Sequence, residues 1–137
     1  MHSVALAGPG SLSEASLVDR ASAHLHPTAV LEPEAIVENL QARREAIIVG
    51  ANSHIRGRLL VYAHGGRIRI GRWCYVGVRS EIWSMASITI GNRVLISHDV
   101  NVHDGTAHSL DAAERHAHFR RIVEKGHPCA SDEIPGV

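Results

Sequence analysis

Aromatic residues are scarce in this chain: one phenylalanine, two tyrosines and two tryptophans among 137 residues. A core without large rings has to be filled by aliphatic side chains, and it can then be narrow. Cysteine is equally rare. Two of them, Cys74 and Cys129, supply neither a disulfide framework nor the paired spacing of a zinc site. Net charge is lacking as well: 14 basic residues balance 14 acidic ones. Bulk charge therefore indicates neither a nucleic-acid nor an anionic-membrane partner. No apolar run is long enough to span a bilayer, and no basic segment precedes an apolar core of the secretory kind. The expectation is a single domain with no membrane span, in a cytoplasmic, reducing setting.

What the chain has instead is a short repeat. From Ile70 every sixth residue is aliphatic: Ile70, Val76, Ile82, Ile88, Val94 and Val100. Neither the helical period nor simple alternation gives that spacing, and a short fixed repeat points to a solenoid. A second inward track accompanies it, first as Cys74, Ser80 and Ala86, then as Ile90, Ile96 and Val102. Cys74 reads as a buried packing thiol. Glycine follows the aliphatic residue at Gly71, Gly77 and Gly91, where a tight corner favours a residue without Cβ.

The stretch IRIGRWCYVGVRSEIWSMASITIGNRVLISHDVNVHD resembles the hexapeptide-repeat acyltransferases. The resemblance implies an all-β, left-handed parallel β-helix in which three hexapeptides make one triangular coil. GRLLVYAHGGRIRIG and EIWSMASITIGNRVLISHDVNVHD are similar to the branch that acetylates surface-polysaccharide precursors, such as colanic acid and capsule, and a homotrimer is implied with it.

Along the chain, residues 1–25 show no register. Leu12, Leu17, Ala21 and Leu25 suit a weakly amphipathic capping helix or a mobile lead. The β-helix is expected over residues 26–104, with a first imperfect coil marked by Val30 and Ile36 and a break over residues 38–46. Val49, Ile55 and Val61 restore the period, and Tyr62 to Gly66 hold a three-residue insertion at a corner. Over residues 105–137 a loop and a helix are expected. Asp111 and Glu114 form a capping box by type and spacing, and the helix should end before Gly126. The family's coils resume after such an excursion, whereas these do not before Val137. The expectation is a truncated chain, inactive alone, or one that depends on partner subunits.

All but one of the basic residues are arginine. Arg56, Arg58, Arg67, Arg69 and Arg72 read first as a solvated outer face, because Arg67 and Arg69 alternate with Ile68 and Ile70. The second reading is a contact for a phosphate or an acidic sugar.

The chemistry is expected among eleven histidines, of which His98, His103 and His108 are spaced by five. TAHSLDAAERH resembles the family segment that presents a general base, with Ser109 where the family usually has proline. The resemblance assigns that role to His108: it deprotonates an acceptor hydroxyl or amine, which then attacks acetyl-coenzyme A. Asn101 and Asp104 are candidates to orient the imidazole or touch the acceptor. Trp83 is an outward aromatic that can flank the acceptor or line a trimer interface. No metal is expected in this reading, and no residues are assigned to the coenzyme, since neither GxGxxG nor a P-loop is present.

A second reading is a zinc enzyme. LISHDVNVHDG is similar to the histidine pair of γ-class carbonic anhydrases, and Ile55-Arg56-Gly57 to part of their arginine-glycine-aspartate motif. Arg58 replaces that aspartate, and His64, the candidate third ligand, is out of phase. A third reading is a non-catalytic, truncated β-helix.

Overall fold

The computed structural model describes residues 22–106 and 108–126. Twelve short strands wind through four coils. The first coil contains β1 (His24–Leu25), β2 (Val30–Leu31) and β3 (Ile36–Asn39). The second contains β4 (Ile47–Val49), β5 (His54–Ile55) and β6 (Arg58–Val61). The third has β7 (Ile68–Ile70), β8 (Tyr75–Val76) and β9 (Glu81–Ser84), and the fourth β10 (Ile88–Ile90), β11 (Leu95–Ile96) and β12 (Asn101–His103). Helix α1 (Ala112–Lys125) follows.

Each strand pairs in parallel with its counterpart one coil away, which gives three four-stranded faces: β1-β4-β7-β10, β2-β5-β8-β11 and β3-β6-β9-β12. The chain is a parallel β-solenoid of about four turns, as the period of six requires.

Alternation within each strand sends one side chain in and the next out. Val49 and Ile70, Ile55 and Val76, and Leu59 and Ile82 meet as stacked neighbours on the three faces, all buried. Small polar residues occupy the inward corners and link coils. The Ser53 hydroxyl donates to Gly71 O at 2.7 Å and accepts from Cys74 N–H at 2.9 Å. Cys74 is buried, with its thiol 2.9 Å from Gly91 O, so it packs as the sequence suggests.

Glycine at the corner serves stacking more than torsion. A Cβ on Gly71 would lie 2.6 Å from Gly91 O of the next coil, yet Gly71 is not among the residues with positive φ. Gly91, in the last described coil, has open space at the same place. That coil is correspondingly less buried: Ile90, Val94, Ile96 and Val102 are only partly covered.

Three expected registers need correction. In the first coil Leu31 and Val37 point inward, whereas Ile36 is exposed; a shift of one residue reverses every side chain. Leu25 belongs to β1 and packs on the core, so the solenoid begins before residue 26, while Leu12, Leu17 and Ala21 lie outside the described residues. Ala86 is exposed in a corner turn, and Ser84 takes the inward place instead. The second coil also takes a shorter corner. Leu59 pairs with Ile82 and Val61 with Ser84.

Helix α1 starts as its sequence dictates. The Asp111 carboxylate accepts from Glu114 N–H at 2.9 Å. The Glu114 carboxylate turns to the Ser109 hydroxyl at 2.6 Å, and that hydroxyl accepts from Asp111 N–H, so Ser109 closes the box. Gly126, at φ 87°, ends the helix. Only His118 of this helix is buried, and Phe119 and Val123 are exposed. No helix among the described residues is long and apolar enough to cross a membrane.

Candidate functional site

The corner between the third face and the first is where the coils depart from regularity. Residues 40–46, 62–67 and 85–87 cross it in successive coils, and after β12 the chain leaves the solenoid there. Tyr62, Trp83, Met85, His103, Gly105, Thr106 and His108 line a cavity of about 230 Å³ at this corner.

Two of these side chains come from the outer side of the third face. Trp83 and His103 are ladder partners on β9 and β12, and their rings meet edge to face with centroids 4.9 Å apart. On the other side of the indole, Arg58 places its guanidinium carbon 5.6 Å from the ring centroid. Arg58 is itself held by Glu38, with Nε 3.1 Å from a carboxylate oxygen, and lies 3.6 Å from Glu81. The bond to Glu38 pushes the guanidinium pKa further above its ordinary value. The Trp83 indole N–H is buried and has no hydrogen-bond partner among the described residues. A buried donor left unpaired costs about 1–3 kcal/mol.

Tyr62 comes from the 62–67 loop. Gly66 lets this loop lie against the next coil: its φ is +112°, and a Cβ there would fall 2.0 Å from Ser84 O. Burial pushes the Tyr62 hydroxyl pKa up, Arg58 opposes that, and Asp104 adds to it. His64 in the same loop packs its ring 5.3 Å from that of Tyr62, and burial pushes its pKa down.

Asp104 sits behind the cavity. Its carboxylate accepts from the Ser84 hydroxyl at 2.6 Å, Met85 N–H at 2.6 Å and Ala86 N–H at 3.0 Å. Burial alone would raise its pKa; the bonds from Met85, Ser84, Ala86 and Ser87 outweigh that and hold it below the ordinary aspartate value. The carboxylate fixes the turn that carries Met85 into the cavity.

His108 is exposed on the loop after β12, where its carbonyl accepts from the Thr106 hydroxyl at 2.9 Å. Its ring centroid is 5.6 Å from that of buried His118 on α1. Helix α1 thus backs the loop imidazole with a second one.

Of the residues named from sequence, His108 and Trp83 line the cavity together. Asp104 adjoins it through Met85. Asn101 is exposed on the outer side of β12 opposite Glu81, and it is not among the lining residues. His98 lies at a different corner, where its Nδ1 is 3.2 Å from the Ser97 hydroxyl. Among the described residues no group of three histidine, cysteine or acidic side chains converges as a metal site. Sequence reasoning missed Tyr62, Met85 and His118. The insertion after Val61 was the one signal for Tyr62; for His118 there was none.

Searches against protein-family models, curated proteins and solved structures returned no match. The site therefore has to be read from its own chemistry. It brings together two imidazoles, an indole, a phenol and the flexible apolar Met85. The set combines aromatic surface with polar ring atoms.

Proposed function

We propose that the protein is an acetyl-coenzyme A-dependent O- or N-acetyltransferase acting on a sugar or surface-polysaccharide precursor. The observation that carries the reading is that His108 lines one cavity with Tyr62 and Trp83. A sugar ring packed on these aromatic side chains would share the cavity with a base.

In the proposed step, a ring nitrogen of His108 takes the proton of the acceptor hydroxyl or amine. The acceptor atom forms a bond to the thioester carbonyl carbon. The carbon–sulfur bond breaks, and the coenzyme leaves as its thiol after receiving the proton from the imidazolium. General-base assistance of this kind is worth roughly 10²–10⁴ in rate. Asp104 supports the step by holding the Met85 turn, and Asn101, outside the cavity, is placed to touch only a part of the acceptor that extends along β12. In this reading the donor occupies a groove completed by a neighbouring subunit of a homotrimer.

The test is thiol release from acetyl-coenzyme A in the presence of amino- and hydroxy-sugars, with the product identified by mass. Acceptor-dependent release that disappears in His108→Ala is the expected result. No release with any sugar, or equal release by the variant, would discard the reading. Stoichiometric bound zinc together with carbon dioxide hydration would replace it with the metal enzyme.

A further inference from the structure

The arginines that cluster in the sequence divide into two groups in space. Arg56, Arg58 and Arg79 are each bonded to a carboxylate: Glu34, Glu38 and Asp99 respectively. Arg67, Arg69, Arg72 and Arg93 are all exposed, and none takes part in an ion pair of the described residues. These four lie on one side of the molecule. Arg67 immediately precedes β7, Arg69 is its outward residue between buried Ile68 and Ile70, and Arg72 follows at the next corner. Arg93 lies one coil above, at the level of Trp73, with its backbone N–H donating to Arg72 O at 2.9 Å.

The series starts at the corner that carries the cavity, although Arg67 is not among the lining residues. Arg67 N–H donates to the Ser84 hydroxyl at 3.0 Å, and Ser84 lies between Trp83 and Met85 of the cavity wall. From there Arg67 and Arg69 project from the same side of the chain about 7 Å apart, at roughly 3.3 Å per residue. Arg72 and Arg93 continue the line. The far end holds Trp73, 61% exposed.

Trp73 has φ 57°, the left-handed region, and Asn52 and Arg93 take the same conformation at that corner in the coils before and after. Asparagine tolerates this torsion; a tryptophan and an arginine do so at a cost of about 1 kcal/mol or more each. The fold asks here for asparagine or glycine. An exposed indole stands in their place, next in sequence to Arg72 and one coil below Arg93.

We infer that the first face is a docking track for a carboxylated glycan chain, leading across β7 and β10 into the cavity. The inference rests on the acetyltransferase reading and narrows its acceptor to an acidic polysaccharide. The guanidiniums are strung out along the face instead of converging, so a chain with repeated charges matches them and a single small anion does not. Planar guanidinium forks suit carboxylates, and the Trp73 ring suits the apolar side of a pyranose. A nucleic acid fits less well: the face offers one stacking ring where a single-strand binder offers several, and the chain has no net positive charge.

The experiment is a binding measurement, separate from transfer. The full chain is titrated with oligogalacturonate, with dextran of similar length and with oligothymidylate, at low and at moderate salt. Oligogalacturonate should bind and weaken with salt, and dextran should not bind. The variant R67Q/R69Q/R72Q/R93Q should lose about tenfold or more, as four exposed charge contacts imply. R56Q, which removes a paired guanidinium, should bind like the parent, and W73A should weaken binding without changing its salt dependence. Circular dichroism of each variant checks that the solenoid is intact. Absence of oligogalacturonate binding, undiminished binding by the fourfold variant, or tighter binding of oligothymidylate would overturn the inference. Glycan binding that survives alongside absent thiol release would leave this face standing and remove the acetyltransferase reading instead.

Discussion

Asp104 accepts a 2.6 Å hydrogen bond from the hydroxyl of Ser84, one coil below it. The two occupy one inward column, and the same carboxylate also takes the backbone N–H groups of Met85 and Ala86. A single side chain thereby closes the corner of the third coil and fixes one wall of the cavity.

Asp104→Asn should cost about 1–3 kcal/mol, because the amide can accept fewer of these bonds. The pH dependence has a definite sign. The folded-state pKa lies below the ordinary aspartate value of 3.8, so the stabilisation is present above that value and is lost as pH falls further, through the folded pKa. The gap between the melting curves of parent and variant should therefore be smaller at the lowest pH the fold survives below 3.8 than at pH 7. A constant difference at both would mean the carboxylate charge is not involved.

His64 gives a second window. Burial lowers its folded pKa below the ordinary histidine value of 6.5, so the unfolded chain binds the proton more readily. Stability should fall as pH drops from 6.5 toward the folded pKa and then level off. His64→Asn should flatten this part of the profile, measured by denaturant midpoint against pH.

The inward register is open to a direct check. Ile82→Asp places an unpaired carboxylate in the buried column between Leu59 and Val102 and should cost about 3–5 kcal/mol. Arg72→Asp, on the exposed corner, should change stability by no more than about 0.5 kcal/mol. Equal shifts in melting temperature would contradict the column assignment.

For the site, His108→Ala should lower acetyl transfer by roughly 10²–10⁴. His103→Ala removes a cavity wall and should raise KM several-fold with a smaller effect on kcat, while His98→Ala should be silent. Steady-state kinetics with acetyl-coenzyme A separate these outcomes. A silent His108→Ala alongside a dead His103→Ala would move the base onto β12. Trp83→Ala removes aromatic surface from the cavity wall, and its effect should appear mainly in acceptor KM.

Much of the solenoid was legible in the sequence because a coil repeats itself by translation. Each of Ile70, Val76 and Ile82 meets the same surroundings one coil away, so the pattern needs no long-range information. The errors fall where the repeat length changes by two. Ile55 to Leu59 spans fewer residues than Val76 to Ile82, yet alternation in and out survives a shift of two, so Val61 still looks like a column member. Ser84 and Ala86 are confused for the same reason. The first coil fails differently: Val30-Leu31 and Ile36-Val37 are both apolar pairs, and only contact with the second coil decides which member turns inward.

The cavity was half legible. His108 and Trp83 stand in or beside the repeat, where their positions can be counted. Tyr62 and Met85 are carried by corner turns without a period, and His118 reaches the loop only through the docking of α1. Such meetings depend on where a turn folds back, which local sequence does not encode.

Because the irregular turns gather at one edge of the prism, the protein separates its tolerance of change from its stability. The stacked faces fix the strands on either side of residues 62–67 and 85–87, so each turn closes between ends already held in place. Lengthening such a turn costs little, roughly 0.6 kcal/mol for each doubling, and disturbs no column of the core. Insertions at this edge would reshape the cavity while the rest of the coil stays in register. A library of turn lengths at residues 62–67, screened for sugar preference, would search substrate space without searching fold space.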